Sequence, residues 1–144
     1  MGITRTTTDA EVSANIQLMI ERKLKRARTA LQYVGESAVK EARQGHTYKD
    51  QTGNLTSSMG YAIVEDGKVS GVSDFKPITT EGKEGCEKGK SYALSLVDKV
   101  NTKFGLIVVA GMEYAAAVAS KRNVLQSSRI TAEILMNRFF RKKT

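Results

Sequence analysis

The sequence has very little of the chemistry that most enzymes and metal sites use. Its 144 residues contain one cysteine, Cys86, and one histidine, His46. A lone cysteine excludes an intramolecular disulfide and favours a reducing compartment. A structural zinc site normally takes four ligands of these two residue types, and the acidic residues lack the paired spacing typical of general acid–base catalysis. We therefore expect no enzyme, no metal site and no cofactor.

Long apolar runs are also missing. No run approaches the roughly 20 apolar residues that cross a bilayer, and the first residues lack the apolar stretch of a signal peptide. We expect a protein of cytosolic origin and without a membrane partner. Hydrophobic residues make up 40% and charged residues 26% of the chain, which is ordinary globular usage and favours one domain over residues 1–144.

The charge that is present is basic and unevenly distributed. Lys and Arg number 23 against 15 Asp and Glu, a formal net charge of +8. The net charge is +3 over residues 1–45, −1 over 46–90 and +6 over 91–144. An excess of this kind attracts phosphates or an acidic surface but does not determine a fold.

The strongest periodic pattern predicts one long helix from about Thr8 to Gln44. Its apolar residues step by three or four positions and fall within an arc of about 120°. Thr8 and Glu11 form a capping-box pattern at the start, and Gly45 is expected to end the helix in the left-handed conformation. The members of the apolar stripe are Val12, Ile16, Ile20, Leu24, Ala27, Leu31, Val34, Ala38 and Ala42.

This helix is longer than a domain of this size needs. At 1.5 Å per residue it would extend about 50 Å, more than the core of one small domain spans. We therefore expect part of the helix to contact another subunit.

The middle of the chain predicts turns and a hairpin. Residues 46–58 are polar and predict a loop with a short helical turn anchored by Leu55 and Met59. Asp66-Gly67 lies between two apolar segments, residues 61–65 and 68–72, and predicts a two-residue hairpin turn. Residues 74–91 hold the single proline and three glycines among alternating charges, which predicts an exposed, mobile charged loop.

The last third predicts alternating helices and strands. We expect a short helix over residues 92–101, a strand over 104–110 buried inside the sheet, an Ala-rich helix near 113–120, a short strand over 123–126 and a final helix capped by Ser128. The order of elements indicates an α+β fold, with the long N-terminal helix packed on a small, mostly antiparallel sheet and further short helices.

Basic residues cluster on the long helix and at the end of the chain. Arg22, Lys25 and Arg26 lie opposite the apolar stripe, and a basic C-terminal tail covers about 138–144, with Arg138, Arg141 and Lys142. Both clusters fit either a solvated helix face or a surface for a DNA backbone or an acidic partner. No helix-turn-helix, zinc-finger or RNA-stacking motif is present, so any contact with nucleic acid should ignore base sequence.

The segment Asp50-Gln51-Thr52-Gly53-Asn54-Leu55-Thr56-Ser57-Ser58-Met59-Gly60-Tyr61 resembles a recurrent segment of tail completion proteins, also called neck or head–tail joining proteins, of long-tailed bacteriophages. The matching pattern in that family is Thr-Gly-x-Leu-x-x-Ser. Residues 108–115, which run into Tyr114-Ala115, and the following Val124-Leu125 resemble the second half of these proteins. The resemblance covers roughly residues 10–130 in the same order.

The chain departs from the family at two positions. Thr56 stands where members often have Arg, and Ala119 stands where they often have Glu. The resemblance implies a non-catalytic subunit of a homo-oligomeric ring at the neck of the virion, which contacts portal (connector) and tail-tube proteins and surrounds the genomic DNA. It implies candidate assembly residues, and it assigns the basic residues named above to the DNA channel or to an acidic partner. The assembly candidates are Thr52, Gly53, Leu55, Ser58 and Tyr114.

Two questions stay open at the level of sequence. Thr52 and Gly53 suit a local cap and turn, with Leu55 as an anchor in the core, as well as they suit an assembly contact. The basic charge also fits a second function, that of a small cytosolic protein which binds nucleic acid without sequence specificity.

Overall fold

The computed structural model describes Gly2, Thr6 and residues 8–141. Within these residues, two short 3-10 turns, Thr80–Gly82 and Val97–Lys99, flank the third helix. No helix of the described part is both long enough and apolar enough to cross a membrane. The regular elements are α1 (Asp9–Gly45), α2 (Asn54–Ser57), β1 (Met59–Glu65), β2 (Lys68–Val72), α3 (Lys83–Ser95), β3 (Phe104–Ala110), α4 (Ala115–Ala119) and α5 (Gln126–Phe140).

The predicted α+β class is confirmed, and so is the start of the long helix. The Thr8 hydroxyl oxygen accepts a hydrogen bond from the Glu11 backbone N–H at 3.2 Å, and the Glu11 carboxylate accepts one from the Thr8 N–H at 3.1 Å. This reciprocal pair is the capping box that the sequence predicts.

α1 ends one residue later than predicted, and a different contact satisfies its end. Gly45 remains helical, and the chain leaves the helix at His46, whose backbone is extended with φ −67° and ψ 147°. The Gly45 carbonyl accepts a hydrogen bond from Asn123 Nδ2 at 2.7 Å. A side chain from the last third of the molecule therefore satisfies the end of the helix, and no left-handed residue is needed there.

The predicted hairpin is confirmed. β1 and β2 pair antiparallel, and Asp66 and Gly67 have positive φ values of 53° and 77°. A two-residue turn of this kind requires positive φ at both positions.

The predicted place of the third strand is wrong. In the described part of the chain the sheet has the strand order β2-β1-β3, so β1 is central and β3 lies at an edge. β3 pairs antiparallel with β1, from Ala110 opposite Met59 to Phe104 opposite Glu65. Helices cover both faces of β3, which explains its continuous apolar sequence.

The second half of the predicted charged loop is helical. Residues 83–91 belong to α3, and only residues 73–79 lack regular structure. Gly85 and Gly89 are buried on one face of α3, where a Cβ atom would collide with the backbone of Asn54 and of Ser58. These glycines therefore permit close packing of α3 on its neighbours. The helix predicted over 92–101 is the end of α3 together with the following 3-10 turn.

The sheet lies between two helical layers. On one face, Leu31 and Val39 of α1 pack with Tyr61 and Ile63 of β1. On the other face, α3 and the turn after it cover the sheet with a second cluster. That cluster consists of Ala62, Val64, Ala93, Val97, Ile107 and Val109.

α5 runs antiparallel to α1. It begins beside the end of α1, and near its own end the Phe139 ring meets Tyr33 edge-on, with ring centroids 5.8 Å apart. The strand predicted over 123–126 is absent from the described residues, because Asn123 is tied to α1 and α5 starts at Gln126. Ser128, the predicted cap, lies in the first turn of α5, where its hydroxyl donates to the Leu125 carbonyl at 2.7 Å.

Candidate assembly surface

The segment that carries the family resemblance lies where α2, α3 and β3 meet. Gly53 has φ 76° and immediately precedes α2. The Ser58 hydroxyl donates to the Leu55 carbonyl at 2.7 Å and accepts from the Gly111 backbone N–H at 3.0 Å. The segment therefore joins three elements of the same domain.

Thr56, the first position that departs from the family, is also interior. Its side chain is 2% exposed and forms a hydrogen bond of 2.8 Å with the Tyr48 hydroxyl. The Asp50 carboxylate accepts a bond from the Thr56 backbone N–H at 2.7 Å. Burial raises the pKa of Tyr48 to about 12, so its hydroxyl stays protonated at physiological pH.

The five assembly candidates divide into two groups. Gly53, Leu55 and Ser58 are buried within the domain. Gly53 forms the turn before α2, Leu55 packs in the core, and the Ser58 hydroxyl makes the two hydrogen bonds given above. Thr52 and Tyr114 are exposed. Partial burial raises the pKa of Tyr114, and the nearby Thr52 side chain opposes this shift weakly. Only these two present side chains that a partner could touch.

The single histidine and the single cysteine lie in different parts of the fold. His46 Nδ1 donates to the Tyr48 carbonyl at 3.0 Å, and the two rings stack with centroids 4.3 Å apart. Cys86 lies half-buried in α3, and burial raises the pKa of its thiol. The described residues contain no group of three or more His, Cys, Asp or Glu side chains that could hold a metal ion.

The first half of α1 projects from the domain, and we call residues 9–26 the arm. In the arm only Val12 and Leu24 are partly buried, and every other residue is exposed. Most of the large apolar side chains are about half exposed. Their exposed fractions are 53% for Ile16, 51% for Leu18, 59% for Met19 and 45% for Ile20.

An ion pair marks the base of the arm. Arg28 Nε donates to Glu65 Oε2 at 2.7 Å and Arg28 Nη2 donates to Glu65 Oε1 at 2.8 Å. The hydrogen bonds lower the pKa of Glu65 and raise the pKa of Arg28. Because Glu65 ends β1, this bidentate pair fixes α1 to the hairpin end of the sheet just before the helix leaves the domain.

The basic candidates on α1 form what we call the basic face, which consists of Arg22, Lys25 and Arg26. All three are exposed, and at 100° per residue they lie opposite the apolar stripe. Arg138 and Arg141 are exposed at the end of α5, next to the Phe139 ring that contacts α1. Lys142 lies outside the described residues.

A groove follows the outer edge of β3, between the end of α3 on one side and α4 and α5 on the other. Its volume is about 940 Å³. The described residues that line it come from β3, α3, α4, α5 and the segments beside them, and none comes from α1. Its floor and walls include Leu106, Val108, Ala116, Ala119, Ala132 and Met136.

The groove is a functional candidate that sequence reasoning missed. It exists because β3 is an edge strand, and its lining combines residues from positions 92 to 137. The available signal was the excess of alanines in α4 and at Ala132, since small side chains on a surface helix leave room for another element.

Comparison with known proteins identifies no relative. No family model, no curated protein and no solved structure matches the chain. A functional interpretation therefore depends on the arm, the groove and the basic face.

Proposed function

We propose that this chain is a structural subunit of an oligomeric ring in the neck of a long-tailed bacteriophage virion, where it joins portal and tail-tube proteins around the DNA. The observation that carries the proposal is the arm, an amphipathic helix whose apolar stripe the subunit itself leaves uncovered. The resemblance of residues 50–61 and 108–125 to tail completion proteins supports the choice of this assembly.

The arm favours an assembly role for a physical reason. A helix of about 18 residues without tertiary packing is marginally stable in water, and monomeric proteins rarely expose contiguous apolar surface. Ile16 and Ile20 are successive members of one stripe, and both are about half exposed. Burial against a partner protein would stabilise the helix and remove this surface from water.

The basic face fits a position beside DNA. When the apolar stripe of the arm is buried, Arg22, Lys25 and Arg26 on the opposite side remain in solvent. A ring repeats this charge once per subunit, so weak contacts with the phosphate backbone add up. Arg138 and Arg141 add charge beside the same helix.

The proposed role requires no catalysis. His46 and Cys86 are held by packing and hydrogen bonds in the described structure, and the residues of the 52–58 segment stabilise the subunit. The protein would act by joining its neighbours in the neck and by presenting positive charge to the DNA backbone.

The experiment is electron microscopy of an intact particle that contains this chain. The expected result is a ring of its density between portal and tail. Density in the capsid shell or at the distal tail, or a particle without the chain, would contradict the proposal.

One observation favours a second function, that of a nucleic-acid-binding protein that acts without a ring. Arg22, Lys25 and Arg26 are exposed together on one helix face, and three phosphate contacts would give log K a slope of about −2.7 against log salt concentration for duplex DNA. Strong binding by the monomer with that slope would favour the second function. Binding that grows only as the chain associates would favour the ring.

A further inference from the structure

Two apolar surfaces have no partner within the described part of the chain. One is the stripe of the arm, and the other is the groove along β3. The arm cannot bend back to its own groove, because α1 is a single continuous helix of 37 residues whose first half is largely exposed. Each surface therefore needs a second molecule.

We propose that the arm of one copy of this chain binds in the groove of a second copy. This inference rests on the proposed function, because it assigns the contact that would build the ring. One kind of contact then covers both apolar surfaces of every subunit.

The dimensions of the two surfaces agree. From Val12 to Leu24 the stripe of the arm rises about 18 Å. The groove is lined by residues within 106–110 of β3 and 126–137 of α5, which extend about 17 Å and about 18 Å. Arm and groove therefore match in length.

The walls of the groove suit an approaching helix. Ala116, Ala119 and Ala132 supply small side chains, which let a helix backbone come close. Leu106 and Val108 of β3 supply an apolar floor against which branched side chains such as Ile16 and Ile20 can pack.

The area of the contact is that of a weak interface for a single pair. Over the stripe's length of about 18 Å, a helix roughly 10–12 Å wide loses about 300 Å² of accessible surface on the covered side. A similar area on the groove gives about 600 Å² in total, below the size of a standard specific interface, and closure of a ring would strengthen the assembly because every subunit makes the contact twice. The basic face stays outside the contact.

The symmetry of this contact differs from that of the main alternative. Arm and groove are different patches, so the contact is heterologous, and repeating it closes a ring or extends a filament. Pairing of two arms would be isologous, would stop at a dimer and would leave the groove empty.

The test uses two variants and a matched control for each. Ile20→Glu disables the stripe, and Leu18→Glu places the same single charge on the opposite side of the arm. Ala116→Arg fills the groove, and Ala117→Arg places the same group on exposed α4 surface outside the groove lining. Circular dichroism and urea unfolding verify that each chain folds.

Native mass spectrometry of isotope-labelled chains gives the result. We expect the wild type and both controls to associate with rising concentration, and the arm variant and the groove variant each to associate about 100-fold more weakly. A 1:1 mixture of these two variants should form heterodimers that grow no further, because each pair retains one intact arm and one intact groove.

Three outcomes would overturn the inference: a groove variant that associates like the wild type, a mixture of variants that stays monomeric, or a wild-type chain that is monomeric at every concentration. Failure here is separable from failure of the proposed function. A ring at the neck built through other contacts would refute arm-in-groove binding alone, whereas heterodimers from the mixture with no density at the neck would refute the neck assignment alone.

Discussion

The two halves of α1 carry the same apolar stripe in opposite surroundings. In the second half Leu31, Val34, Ala38 and Ala42 are fully buried, at 0% exposure. In the first half Ile16 and Ile20 remain about half exposed. An amphipathic pattern therefore predicts that a helix packs against a partner. It does not predict whether that partner belongs to the same chain.

The two halves of α1 therefore differ in what they contribute to the protein. The buried half holds the fold together, since α1 closes one face of the sheet. The exposed half contacts little of the described domain and adds little to its stability, and under the proposed function its apolar residues serve the assembly. Substitutions that lower stability should therefore cluster after Arg28, and those that impair association alone should cluster before it.

The largest effect on stability is expected from Leu31→Ala. Truncating this fully buried side chain should lower the free energy of unfolding by about 2–5 kcal/mol, because it loses apolar burial and leaves a cavity. The matched change Ile20→Ala in the arm should alter it by about 0.5 kcal/mol or less. Urea unfolding of dilute, monomeric protein measures both, and equal losses would contradict the contrast between the halves.

The close contact of α3 with its neighbours should also reject a methyl group that a more open position in β2 would tolerate. Gly89→Ala should lower the free energy of unfolding by about 1–3 kcal/mol, because its Cβ collides with the Ser58 backbone in a well-packed contact. Gly71→Ala is the control, since its Cβ would make an ordinary 3.6 Å contact with Ile63. Thermal unfolding of the two variants tests this, and a stable Gly89→Ala would mean that α3 packs more loosely.

A smaller, pH-dependent effect is expected at the boundary between the halves. The pKa of Glu65 is lowered in the folded protein by Arg28, so the pair contributes stability above the ordinary pKa of a glutamate and loses it as pH falls through the lowered value. Glu65→Gln should therefore lower the urea midpoint at pH 7, and the gap to wild type should close in acid. A difference in urea midpoint that widens in acid would contradict this prediction.

The smallest effect on stability is expected on the basic face. Charge reversal of Arg22, Lys25 and Arg26 should change the free energy of unfolding by about 0.5 kcal/mol or less, since all three are exposed. DNA retention by the assembled protein should fall, with a salt slope reduced by about 2.7 per subunit engaged. Filter binding at several salt concentrations measures it, and a loss of stability alone would leave the basic face as a solvated surface.

Local chemistry made part of the fold predictable. The capping box at Thr8 and the turn at Asp66-Gly67 depend on neighbours within four residues, so their residue types suffice to predict them. The position of β3 in the sheet was predicted wrongly. Apolar residues on both faces of a strand indicate that helices cover both faces, but they do not indicate whether a neighbouring strand pairs on each of its two edges. α3 was mistaken for a loop because Gly85 and Gly89 suggested flexibility, whereas their four-residue spacing serves close packing.

The candidate surfaces were predictable to different degrees. The length of α1 alone predicted that part of it would lie outside one domain, and the position of the basic face followed from helical periodicity. The groove could not be predicted, because it depends on how β3, α4 and α5 come together. The burial of Leu55 was predicted from its place as a core anchor and is confirmed, whereas the burial of Ser58 follows from tertiary packing, which a segment of sequence cannot reveal.

Hydrogen exchange along α1, measured on dilute monomer and on the assembled protein, tests the central claim most directly. In the monomer we expect slow exchange over residues 31–42 and rapid exchange over residues 9–26, because only the first of these stretches is packed. On assembly the arm should become protected to a similar degree. An arm that exchanges as fast in the assembly as in the monomer, or that is already protected in the monomer, would contradict the claim that a second molecule completes the stripe.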